Sequence, residues 1–130
     1  LYGCSIGDDS FIGPFVEVQR GAVIGRRTRV QSHSFVCDMV VIGDDCFVGH
    51  GVMFVNDDFR SGGPAGDPDG WSSTHIGDRV SIGSNATMMP VTVADDVVIG
   101  AGSVVTHDLT EAGVYAGNPA RVLQRRSDGD

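Results

Sequence analysis

An all-β solenoid of six-residue repeats is the fold class predicted, on three observations. Every sixth residue from Ile6 to Phe54 is apolar (Ile6, Ile12, Val18, Ile24, Val30, Val36, Ile42, Val48, Phe54), a period found in neither an amphipathic helix nor an alternating strand. The residue four places further on (Ser10, Val16, Ala22, Thr28, Ser34, Val40, Cys46, Val52) is always small or β-branched. Glycine follows the apolar residue at Gly7, Gly13, Gly25, Gly43 and Gly49, as tight turns demand. Together these describe a triangular coil of three short strands, with one bulky and one small side chain per face filling the interior and polar residues at the corners. Three hexads make one coil of eighteen residues. Successive coils should stack about 4.8 Å apart, so residues eighteen apart sit one above another.

The elements follow in order. Hexads run unbroken to Phe54. Val55 to His75 breaks the pattern with a stretch rich in Gly, Pro, Asp and Ser that carries the only tryptophan, Trp71; it predicts a loop thrown out from a corner. Hexads resume at Ile76, Ile82 and Met88, slip by one residue at Pro90-Val91, and continue at Val93, Ile99 and Val105. One corner is therefore a residue short. The expected boundaries are a β-helix over 1–108, with its excursion loop at 55–75, and a C-terminal cap and tail over 109–130. A short helix over Val122-Leu123 is expected to cover the open end, since bare strand edges invite association.

Composition narrows the function. A formal charge of −8 argues against nucleic-acid binding, which needs a basic face, but leaves room for a small anion where arginines gather. No apolar run approaches the ~18 residues that span a bilayer. Three cysteines, an odd number, with Cys46 at an interior position, fit reduced thiols and a cytoplasmic setting.

Eighteen-residue arithmetic stacks Arg20, Asp38 and Asn56 at one corner, with Asp57 beside the top. His50 follows Gly49 at another corner, with His33 seventeen residues earlier, so the two histidines are expected to lie close. His75 and His107 are expected at the surface.

The stretches Leu1-Tyr2-Gly3-Cys4 with Ile6-Gly7, Phe15-Val16-Glu17-Val18-Gln19, Ser32-His33-Ser34-Phe35-Val36-Cys37, Gly49-His50-Gly51-Val52-Met53-Phe54-Val55-Asn56-Asp57 and Ala116-Gly117-Asn118-Pro119-Ala120-Arg121 resemble the left-handed β-helix acyltransferases of the hexapeptide-repeat superfamily. Within it the chain is most similar to enzymes that acetylate the 3-amino group of nucleotide-linked sugars, of the UDP-2-acetamido-3-amino-2,3-dideoxy-glucuronate N-acetyltransferase type. The resemblance implies a left-handed coil, acetyl-CoA as donor, and a homotrimer with active sites in the clefts between subunits. It also implies that Asn56 orients the sugar amine, with Asp38 and Asp57 as partners or proton acceptors. His50 is a candidate general base.

Arg20, His33, Glu17 and Arg60 are the expected substrate contacts. Arg26 is a further cation for a sugar carboxylate. Gly83, Ser84, Ala101 and Gly102 would let a pantetheine arm pass close to the backbone, while Asn118 and Arg121, with Arg125 and Arg126 further on, would meet the cofactor's far end. Two other classes compete. A sugar O-acetyltransferase would rely on a histidine base, and a silent scaffold would need no ligand at all; the long loop with Trp71 speaks against the scaffold. A metal enzyme of the γ-carbonic-anhydrase type is disfavoured, because the four histidines offer no pair five residues apart.

Overall fold

The computed structural model describes residues 1–125 and forms a parallel β-solenoid of about six turns, consistent with a left-handed β-helix. The first face stacks Ser5–Ile6, Val23–Ile24, Val40–Ile42, Thr74–Ile76 and Thr92–Val93. The second stacks Phe11–Ile12, Arg29–Val30, Phe47–Val48, Ser81–Ile82 and Val97–Ile99. The third stacks Glu17–Val18, Phe35–Val36, Met53–Phe54, Thr87–Met88 and Val104–Val105.

In each two-residue strand the second residue points inward, because alternate side chains of a strand take opposite sides. The hexad residues Val30, Val36, Val48, Phe54, Met88 and Val105 are almost wholly buried, as are their small companions Ala22, Val52 and Ala86. The expected interior is thus realised from Val18 upward, while Ile6, Ser10, Ile12 and Val16 of the first coil are half-buried. Thr28 and Ser34 stay buried by spending their hydroxyls on the coil above, Thr28 Oγ1 on Gly43 O at 2.8 Å and Ser34 Oγ on Gly49 O at 2.8 Å. Thr74, 1 % exposed, is the exception: its Oγ1 has no hydrogen-bond partner among the described residues.

Register follows the repeat. Phe11 pairs with Arg29 and Arg29 with Phe47, each eighteen residues on. The loop lengthens one coil, so that Val40 pairs with Thr74. Above Pro90 the step falls to seventeen, with His75 opposite Thr92 and Thr87 opposite Val104. Regular pairing resumes at Thr74, so the loop proper occupies 55–73, slightly less than predicted.

The cap differs from expectation. No helix covers Val122-Leu123; these residues lie in the strand Ala120–Arg125, which turns back antiparallel on Gly113–Gly117 and extends the second face. An open sheet edge at the last coil offers a row of unpaired backbone groups, and a strand pair satisfies them where a helix could not. Arg126 and the rest of the tail lie outside the described residues.

The corner between the first and second faces is an aspartate ladder. Asp44 Oδ1 accepts Arg26 N at 2.8 Å, Asp78 Oδ1 accepts Asp44 N at 2.8 Å, and Asp95 Oδ1 accepts Asp78 N at 2.7 Å. Beside it Arg27 grips Asp45, with Nε to Oδ1 at 2.7 Å, and Arg79 grips Asp96 in the same fork at 2.8 Å. The hydrogen bond from Arg27 holds the Asp45 carboxyl below its ordinary range. Glycine is compulsory under the ladder: a Cβ on Gly25 would lie 2.4 Å from Asp44 Oδ1.

Candidate functional site

The corner between the third and first faces carries Arg20, Asp38 and Asn56 in the predicted column. Asn56 Nδ2 donates to Asp38 O at 3.0 Å, and Asp38 Oδ1 accepts the Met39 amide at 2.7 Å. Asp38 N in turn donates to Gln19 Oε1 at 3.2 Å. Gly21, at φ +87°, admits Asp38 here, since a Cβ would stand 2.2 Å from its Oδ1. With the Asn56 amide nitrogen committed to a backbone carbonyl, its Oδ1 is left as a free acceptor among the described residues.

The loop closes over this column. Ser72 N donates to Asn56 O at 2.8 Å, stitching the loop's return to its departure. Asp57 organises the interior of the loop, Oδ1 accepting Phe59 N at 3.1 Å and Oδ2 accepting Ala65 N at 2.6 Å. Arg60 reaches Asp58 and Ser72. A short 3₁₀ turn, Pro68–Gly70, is capped by Asp67 and delivers Trp71, whose backbone N–H donates to Pro68 O at 3.0 Å.

Two cavities meet beneath Trp71. One, of about 430 Å³, is lined by Phe35, Cys37, Met53, Asn56, Asp57 and Phe59 together with Gln19 and Trp71. The other, of about 420 Å³, is lined by Tyr2, Glu17, Arg20 and Asp38 with the same Gln19 and Trp71. Both fall within the size range of small-molecule sites, about 300–1,000 Å³. Cys37 was not singled out from sequence. It is buried against the first cavity, and burial pushes its thiol up to about 11, so it stays protonated at neutral pH.

The candidates therefore divide. Asn56 and Asp57 share one cavity; Glu17, Arg20 and Asp38 share the other. His33, His50 and Arg60 line neither. His33 stacks on Phe15, with ring centroids 5.2 Å apart, at the corner between the second and third faces. His50 stands at the same corner, its Nδ1 2.9 Å from Ser32 Oγ and its backbone N donating to Ser84 Oγ at 3.3 Å. The Ser32–His50 pair is eighteen residues apart, and the repeat alone could have found it. His75 and His107 are exposed, as expected.

The expected cofactor residues Gly83, Ser84, Ala101 and Gly102 follow His50 up this corner, where coils approach closely: a Cβ on Gly83 would lie 2.4 Å from Ala101 N. Asn118 sits in the turn joining the two cap strands and Arg121 in the second of them. Arg121 borders a further cavity of about 510 Å³ with His107, Glu111, Tyr115 and Arg125. Arg125 is paired there with Glu111, whereas Arg121 has no ion pair among the described residues.

Known proteins share the repeat and the fold. A family model described as the hexapeptide repeat of succinyl-transferase matches residues 39–53 and 74–107, and one described as the bacterial transferase hexapeptide matches residues 3–38. A curated relative, the bifunctional protein GlmU of Dichelobacter nodosus, is 41% identical over 105 residues, covering 80% of this chain and 20% of its own length. The chain spans only about a fifth to a quarter of the curated relatives it matches. Among solved structures, a hexapeptide-repeat acetyltransferase from Vibrio cholerae complexed with acetyl coenzyme A superposes at TM-score 0.81 and 23% identity, over 98% of this chain and 73% of that one. A galactoside acetyltransferase in complex with coenzyme A superposes at 0.81 and 30% identity, over 95% and 66%.

Proposed function

Because the chain belongs to the hexapeptide-repeat family of bacterial transferases, we propose that it transfers acetyl from acetyl-CoA to the 3-amino group of a nucleotide-linked sugar. The observation that carries this reading is the fixed Asn56 amide, whose nitrogen is held by Asp38 O at 3.0 Å inside a cavity sized for a sugar. Its Oδ1 is then an acceptor for an amine N–H. It orients the nitrogen lone pair toward the thioester carbonyl.

The amine must arrive neutral. Its nitrogen bonds to the acetyl carbon as the carbon–sulfur bond breaks, CoA leaves as the thiolate, and the nitrogen loses one proton. A sugar amine beside electron-withdrawing groups is less basic than lysine, so positioning counts for more than a strong base. Asp38, with only Oδ1 spent on Met39 N, keeps Oδ2 as the proton acceptor in this scheme. Asp57 holds the loop through both its oxygens. The acetyl-CoA arm runs along Gly83, Ser84, Ala101 and Gly102 of a neighbouring subunit, with that subunit's Asn118 and Arg121 toward its phosphates, so that donor and amine meet in the cleft between two copies of the chain. Support for a CoA thioester comes from the matched structures that hold acetyl-CoA or CoA.

The assembly proposed is a homotrimer. On the second face the outward row alternates exposed Phe11, Phe47 and Val98 with Arg29 and Ser81, a flat surface of mixed character that suits packing in closed symmetry. A hydroxyl acceptor is the second reading, favoured by the Ser32–His50 pair, since an alcohol needs a base that an amine does not. The test is CoA release, followed with a thiol reagent, on a panel of nucleotide-linked 3-amino and 4-amino sugars and their hydroxyl counterparts, with products confirmed by mass. Turnover on a 3-amino sugar that survives His50→Ala supports the amine reading. Turnover only on hydroxyl acceptors, abolished by His50→Ala, replaces it.

A further inference from the structure

Trp71 and Gln19 line two unlike compartments, whose other residues call for different chemistry. The compartment with Asn56 is walled by Phe35, Met53 and Phe59, a surface for the apolar face of a sugar ring. The other holds two aromatic rings, Tyr2 and Trp71, one guanidinium, Arg20, and two carboxylates, Glu17 and Asp38, the latter with Oδ1 already accepting Met39 N.

Arg20 is held ready. Its Cζ lies 5.5 Å from the centroid of the Tyr2 ring, a cation–π distance. Its stem packs on Gly3, where a Cβ would come within 3.0 Å of Arg20 Cγ. Among the described residues no carboxylate pairs with it, in contrast to Arg27, Arg60, Arg79 and Arg125, which are all paired. Arg26, Arg29 and Arg121 are likewise without an ion pair among the described residues, but of these four Arg20 alone lines a compartment with two aromatic rings, where its fork is open to an external anion. Glu17 has one oxygen accepting Gln19 Nε2 at 3.3 Å, which leaves the other to accept hydroxyl protons.

We propose that the compartment formed by Tyr2, Glu17, Arg20 and Trp71 binds the nucleoside diphosphate portion of the acceptor. The base stacks on Trp71, the ribose hydroxyls donate to Glu17, and the diphosphate lies on Arg20. This assignment rests on the nucleotide-linked acceptor proposed above and adds Trp71 and Tyr2 as specificity-determining residues. Trp71 is placed for it by the loop's closure on Asn56 O, so base and amine are read by two ends of one stitched segment.

Trp71 is the chain's only tryptophan, and its emission reports on this compartment directly. Titration of the intact protein with UDP should quench it saturably, with UMP weaker, and neither acetyl-CoA nor a free 3-amino sugar should reproduce the effect. Arg20→Gln should raise the Kd for UDP at least tenfold while leaving the saturating quench intact, and Tyr2→Ala should raise it several-fold. Trp71→Phe, which keeps an aromatic ring, should raise KM for the nucleotide-linked acceptor with little change in kcat. Emission unmoved by millimolar UDP or dTDP, with no nucleotide retained in equilibrium dialysis, would overturn the site, as would an Arg20→Gln protein with unaltered UDP affinity. The broader reading fails separately. UDP binding with no CoA release on any acceptor keeps this site and removes acetyl transfer, whereas turnover of a free amino sugar by a protein blind to UDP keeps acetyl transfer and removes this site.

Discussion

The corner between the first and second faces and the corner under the loop are both built from aspartate and arginine, yet their polar groups end in different places. At the first, Asp44, Asp78 and Asp95 each accept a backbone amide of the coil below, and Arg27 and Arg79 are forked onto Asp45 and Asp96. At the second, among the described residues, Asn56 keeps an oxygen and Arg20 its whole fork, and cavities lie beside them. A polar corner that satisfies itself stabilises the coil; one that leaves donors and acceptors facing a cavity is prepared for a ligand. Residue type does not distinguish them. Partnering does.

The largest contrast should come from Asn56→Ala, which removes the free acceptor. Turnover should fall about 100-fold to 1,000-fold, comparable to losing a positioned hydrogen bond to the reacting group, with the circular dichroism spectrum unchanged. Turnover equal to the parent's would erase the functional side of the comparison. Asp44→Ala should do the reverse, costing about 1–2 kcal/mol of stability by orphaning the Arg26 amide while activity per folded molecule holds. Chemical denaturation and CoA release on the same preparation check both halves.

Thr74→Val sharpens the picture where the loop rejoins the coil. It deletes a buried hydroxyl that lacks a partner, and the denaturation midpoint should rise by the equivalent of about 1 kcal/mol. A fall instead would mean that the hydroxyl is satisfied in solution. Cys37 offers a pH test from beneath the site. Its folded pKa, about 11, is raised above the ordinary value of 9.0 by burial. Folding therefore favours the protonated thiol, so stability is undiminished below pH 9 and declines as pH rises from 9 toward 11. Cys37→Ala should flatten that alkaline decline, as followed by thermal melts at stepped pH. The smallest effect belongs to Arg27→Ala. The Arg27–Asp45 pair is solvent-exposed, and such pairs contribute little, so the melting temperature should not move measurably at 0.15 M salt; a clear drop would make the ladder cooperative rather than a set of separate contacts.

Most of the coil was legible because its signal repeats. The phase from Ile6 to Phe54 sets which residues turn inward, and the slip at Pro90-Val91 reappears as the seventeen-residue step between His75 and Thr92. The column Arg20, Asp38, Asn56 was legible for the same reason. The cap was not: past Thr106 there is no period left, and Val122-Leu123 is too short an apolar run to tell a strand from a helix. What decides it is the open edge of Val97–Ile99, a property of the folded coil. Trp71 was legible as an aromatic carried on a loop, but its position between Tyr2 and Phe59 was not, since a segment without periodicity carries no address. Cys37 occupies a hexad flank that looks like filler until the cavity beside it is seen.

Both departures from the eighteen-residue step fall at one corner. The insertion that carries Trp71 leaves after Val55, and one coil later the deletion beside Pro90 sits at the same edge, while the other two edges of the prism keep unbroken hexads through Val97. Length variation has been confined to a single seam. A lineage can lengthen, shorten or replace what projects there without disturbing the stacked interior. The seam is therefore the natural graft point for exchanging acceptor preference between solenoids of this kind, with the coil serving as a frame that does not have to be reinvented each time.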